Sequence, residues 1–98
     1  MNTKPKITAA RFGAKVHVHA TVTVPTTGFT LTLKPVTPPT NPPELNLVLI
    51  PPKRGTPVGD IVSHPEADED IFVPLEQKKL FVNYDGEAIK VTIKPVKT

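Results

Sequence analysis

Two histidines separated by one residue, His17 and His19, have the type and spacing to do chemistry. On an extended strand, side chains two positions apart project from the same face, roughly 6–7 Å apart. Two imidazoles so placed can give two nitrogen ligands to one metal ion, with zinc the natural candidate. Such a site needs a third ligand, and His64 or an acid of the 66–70 segment is the available source. Without that ligand, His17 and His19 are solvent-facing strand residues beside Thr21 and Thr23. The sequence therefore assigns no metal centre and no cofactor, and leaves His17 and His19 as the residues to test.

Other reactive constellations are weaker. The chain has one serine, Ser63, followed directly by His64. Adjacent strand residues point to opposite faces, so the two cannot share a proton as nucleophile and base. No cysteine is present, which removes disulfides, thiolate zinc sites and cysteine nucleophiles. Glu66-Ala67-Asp68-Glu69-Asp70 lacks the spaced oxygens and central glycine of a calcium loop, and reads as a solvated acidic loop or a site for a basic partner. Gly55-Thr56-Pro57-Val58-Gly59 has a proline where a phosphate cradle needs amide donors. The expectation is a protein that is not an enzyme.

These residues must be positioned by strands. Val16, Val18, Ala20, Val22 and Val24 alternate with His17, His19, Thr21 and Thr23, the pattern of a half-buried strand over Lys15 to Val24. Pro25-Thr26-Thr27-Gly28 turns the chain, and Phe29, Leu31 and Leu33 mark the inner face of the next strand. Further strands are expected near Ile7–Phe12, over Leu45–Ile50, at Val58–Ser63 and at Ile71–Val73. Leu80–Tyr84 and Ala88–Val96 form a closing hairpin around Asp85-Gly86, a pair that favours tight primed turns. Thirteen prolines in 98 residues exclude long helices. The expectation is one domain over residues 1–98, an all-β, immunoglobulin-like sandwich of seven or eight antiparallel strands. Pro35 and Pro95 fall in the third and last strands, which that arrangement makes sheet edges.

Pro25-Thr26-Thr27-Gly28-Phe29 resembles the loop signature of chagasin-type inhibitors of papain-like cysteine proteases. The resemblance implies an immunoglobulin-like fold whose second-to-third-strand loop enters the protease cleft beside two others. Val24 stands where that family has asparagine, and Asn83-Tyr84-Asp85-Gly86 occupies the place of its Arg-Pro-aromatic loop. The match spans five residues.

Charge and composition limit the partners. Residues 1–54 hold seven Lys/Arg and one acid, Glu44, whereas residues 60–76 hold six acids and no Lys/Arg. A nucleic-acid surface calls for a dense basic stripe, often with stacking aromatics. Only five aromatics are present, so no nucleic-acid partner is expected. No run approaches the ~20 apolar residues of a membrane span, so no membrane partner is expected either. If Met1 is the native start, the lack of an apolar run behind it places the protein in the cytoplasm. Proline-bearing edges favour a monomer. The functional expectation is an interaction or structural module that binds another protein through Pro25, Thr26, Thr27, Gly28 and Phe29 together with Asp85 and Gly86. The alternatives are a cysteine-protease inhibitor and a zinc-binding domain.

Overall fold

The computed structural model describes residues 4–38, 40, 42–53, 55, 59 and 61–95. Among them are seven strands and no helix. The strands are β1 (Lys6–Phe12), β2 (Lys15–Thr21), β3 (Thr30–Pro35), β4 (Glu44–Ile50), β5 (Glu66–Phe72), β6 (Lys79–Tyr84) and β7 (Glu87–Pro95). They form one sheet in the order β3-β4-β6-β7-β1-β2-β5. The sheet curls until its end strands β3 and β5 approach one another, so the whole is nearly a barrel.

The alternation read from the sequence is the alternation of the core. Val16, Val18 and Ala20 of β2 are fully buried, and Val22 and Val24 continue the same face beyond it. Leu31 and Leu33 of β3, Leu45 and Leu47 of β4, and Val91 and Ile93 of β7 close over them. Each such side chain contributes on the order of 1.5–3 kcal/mol on leaving water. No polar or charged side chain is buried among the described residues.

Strand direction departs from expectation. The sheet is mixed, not wholly antiparallel: β1 runs parallel to β7, and β4 parallel to β6. Three antiparallel groups, β5-β2-β1, β7-β6 and β4-β3, are thus joined by two short parallel seams. Turn chemistry reports only the antiparallel neighbours joined by tight hairpins, β1–β2 and β6–β7. It carries no information about seams between strands distant in sequence. For the same reason β7 is not an edge, since β6 and β1 flank it. Pro95 is tolerated because it is the last residue of β7, at the end of the seam, opposite Arg11. Pro35 does lie on an end strand, β3.

The acidic segment is also corrected. Residues 66–70 are not a loop but most of β5, paired over seven residues with β2. Of the expected strand over residues 58–63, residues 58 and 60 lie outside the described residues, and the described ones, 59 and 61–63, belong to no strand. Ser63 forms an isolated antiparallel bridge with Val24, each backbone N–H donating to the other's carbonyl at 2.9 Å.

The β6–β7 turn is as expected. Asp85 and Gly86 have φ of 51° and 79°, both positive, as a type I′ turn requires. A Cβ at position 86 would meet nothing within 4 Å, so an alanine there is opposed by backbone strain alone. Gly86→Ala should destabilise the domain by about 1 kcal/mol, read as a lower urea midpoint at unchanged slope.

Candidate functional site

Cross-strand register sets His17 opposite Asp70, His19 opposite Asp68 and Thr21 opposite Glu66. All lie on the outer face, because Val16, Val18 and Ala20 of β2, with Ala67 of β5, take the inner one. The result is a ladder in which three carboxylates surround two imidazoles. His17 Nδ1 lies 2.7 Å from Asp70 Oδ1, and its Nε2 lies 3.0 Å from Asp68 Oδ1. His19 Nδ1 lies 2.6 Å from the same Asp68 oxygen, and its Nε2 lies 3.3 Å from Glu66 Oε1. An ionised carboxylate only accepts, so His17 satisfies both of its partners when both ring nitrogens carry protons.

The ladder is half open to solvent: the His17 side chain is 41% exposed and that of Asp68 51%. Its ionisation is perturbed all the same. His17 is raised above its ordinary value, chiefly by the hydrogen bond to Asp70, with desolvation opposing and Asp68 adding to the rise. Asp68 is lowered, first by its bond from His19, with desolvation opposing and His17 assisting.

The third partner that a zinc site would need is therefore at hand, but as a hydrogen-bonding group. Both near nitrogens converge on an oxygen of Asp68, not on a common empty point. Among the described residues, no group of three or more His, Cys, Asp or Glu stands so as to hold a metal ion. His64 does not join the ladder; its Nδ1 meets Thr23 Oγ1 at 3.0 Å.

At one end of the ladder, the row Phe12, Lys15 and Phe72 crosses β1, β2 and β5. Phe72 is 83% exposed and Phe12 54%. At the other end, β2 leads into the Pro25–Phe29 segment. Pro25 and Gly28 are exposed, with Gly28 at a φ of 95°. Thr27 is tied down: its N–H donates to the Gly59 carbonyl at 3.3 Å, and its hydroxyl oxygen accepts from the Gly59 N–H at 2.8 Å. Phe29 packs against the core. Thr26 is half-buried, and Asp85 and Gly86 are exposed.

The chain matches no family model, no curated protein and no solved structure. Function must be argued from its own geometry. Strand directions bring the β2–β3, β4–β5 and β6–β7 connections to the same end of the sheet. Pro25–Phe29 and Asp85-Gly86, separate in sequence, therefore share that end. A shallow depression of about 310 Å³ is lined by Thr40, Pro42, Glu44, Phe81 and Ala88. Beside it the Asn83 amide donates to Asn46 Oδ1 at 3.1 Å.

The sequence reading missed two things here. It offers an acid of 66–70 to His17 and His19 only as a metal ligand carried by a loop, not as part of a strand paired in register with β2. It also passed over Arg11, whose guanidinium binds four backbone carbonyls. The ladder had a readable signal: an alternating His-x-His stretch and an alternating Glu-x-Asp-x-Asp stretch are complementary across an antiparallel pair.

Proposed function

We propose that this chain is a non-enzymatic module of immunoglobulin-like type that binds another protein through the loop end of its sheet. The reading is supported by the gathering of the β2–β3 and β6–β7 connections at one end, the arrangement in which rigid scaffolds present binding loops. Pro25, Thr26 and Gly28 with Asp85 and Gly86 form the contact surface, while Thr27 and Phe29 anchor the loop through Gly59 and the core. The variant pair Thr26→Arg and Asp85→Arg should abolish partner capture while leaving the urea midpoint nearly unchanged. Capture of the same partner by the variants, or turnover of a substrate by the wild type, overturns the reading.

A second reading has one observation in its favour. The resemblance to chagasin-type inhibitors needs the second-to-third-strand loop and the final hairpin side by side, and strand directions permit that. On this reading, titrating a papain-like protease with the domain gives stoichiometric loss of activity, and Thr26→Arg relieves it. Full protease activity at a large molar excess of folded domain ends it for that enzyme class.

A further inference from the structure

The outer face of β2 and β5 carries a device the loop end does not need. β5 is the end of the sheet, so it has one hydrogen-bonded neighbour, β2, and its other edge faces only the non-bonded approach of β3. End strands held on one side open more readily than strands held on both. β5 also carries the residues least suited to a strand, since Asp and Glu are depleted there and like charges in a row repel. Glu66, Asp68 and Asp70 stand in one line along its outer face. What opposes that repulsion is the pair of imidazoles on β2.

We propose that the histidine–carboxylate ladder is a proton-operated clasp on β5, drawn tight when His17 carries its second proton and slack when it does not. The geometry singles out His17. Its two nitrogens bridge two different acids, Asp70 at 2.7 Å and Asp68 at 3.0 Å, so one proton decides whether both bonds can be donated. Among the described residues no Lys or Arg forms an ion pair with Asp68 or Asp70, and Lys15 stands two residues from His17 on the outer face of β2. On β1 the residues opposite His17 and His19 are Ala10 and Thr8. Lys6 lies opposite Thr21, Lys15 opposite Phe72, and Lys94 of β7 stands beyond Ala10. On β5, Glu69 lies opposite Val18 and so belongs to the inner face. His64 is engaged by Thr23.

The direction of the pH effect follows from the two shifts. A histidine raised on folding stabilises the folded strand fully below its unfolded value of about 6.5, and loses that contribution as pH rises through the higher folded value. A carboxylate lowered on folding, as Asp68 is, contributes above its unfolded value of about 4 and loses the contribution as pH falls through the lower folded value. The clasp is tightest between about pH 4 and 6.5, and slackens on the alkaline side around neutrality.

The test is amide hydrogen exchange of the whole domain, with chelator present throughout. Rates in β5 are compared with those in β4 after correction for intrinsic pH dependence. Between pH 6 and pH 8.5 the β5 amides of the wild type should become about threefold less protected relative to β4, the scale of one exposed ion pair. His17→Gln should hold β5 at the alkaline level at both pH values. His17→Lys, which keeps its charge over that range, should hold β5 more protected than His17→Gln at pH 8.5 and remove most of the pH dependence. A constant β5-to-β4 ratio in the wild type overturns the proposal, as does an equal pH response in His17→Gln.

Discussion

Leu80→Ala is expected to lower stability by about 2–5 kcal/mol, the range for a large-to-small change at a closed site. Leu80 is fully buried on β6 and lies opposite Val91 of β7. Its strand is flanked by β7 on one side and by the parallel seam to β4 on the other. Paired on both sides, the strand cannot easily shift to fill the vacancy, so the cavity term should be near its maximum. The effect is large against a domain stability on the order of 5–15 kcal/mol. At roughly 4–8 °C per kcal/mol for a chain of this size, the melting temperature should fall by at least about 8 °C. Leu75→Ala is the matched control, since Leu75 is 62% exposed in the β5–β6 connection and should change stability by less than about 0.5 kcal/mol. Urea unfolding of the two variants would refute this account of the core if their midpoints fell together.

Leu80 shows why much of this fold could be read from the sequence. It follows the polar Glu76-Gln77-Lys78-Lys79 stretch and opens the apolar-rich run Leu80 to Tyr84 that ends at Asp85-Gly86, so strand and turn are both signalled locally. The same holds for Val16, Val18 and Ala20, whose burial follows from period-two patterning alone. The parallel seams had no such signal. Ala9 meets Ile93, and Leu45 meets Val82, across tens of residues with no connecting turn. β5 failed for a different reason. Its pattern of Glu66, Asp68 and Asp70 outside, with Ala67 and Ile71 inside, has too little apolar content to mark an inner face. A strand of that composition is held by its neighbour, through His17 and His19, and not by its own propensity. The spacing of the two histidines is visible in the sequence. What they do depends on the strand that faces them, and that strand lies about fifty residues further along the chain.

Arg11→Met should lower stability by about 1.5–3 kcal/mol, the scale of hydrogen bonds to a charged group. Arg11 follows Ile7 and Ala9 on the inner face of β1, so periodicity alone expects an apolar residue there. Its guanidinium caps that end of the sheet instead. Nη1 donates to the carbonyls of Gly13 at 3.1 Å and Val73 at 3.0 Å, and Nη2 to those of Pro74 at 3.1 Å and Gln77 at 2.8 Å. Three of the four acceptors lie in the connection that carries the chain from β5, at one end of the sheet, to β6 in another antiparallel group. The Val73 N–H bonds Ala14 at 2.9 Å, and Ile93 donates to Lys78 at 2.9 Å, so Arg11 fastens the middle of a crossing already pinned at both ends. The planar fork matters as much as the charge. Lysine offers one compact ammonium with three donors, so Arg11→Lys should recover only a part of the loss. Size alone would not separate this variant from the clasp variants, but pH does. Arginine stays charged throughout, so the loss in Arg11→Met should be the same at pH 6 and pH 8.5. The loss in His17→Gln should be present at pH 6 and nearly gone at pH 8.5, where the wild-type imidazole has itself given up its proton. Urea unfolding of both variants at the two pH values separates the two devices. A pH-dependent loss in Arg11→Met would mean that its carbonyl contacts are coupled to the ladder through β5, and that the two are a single device.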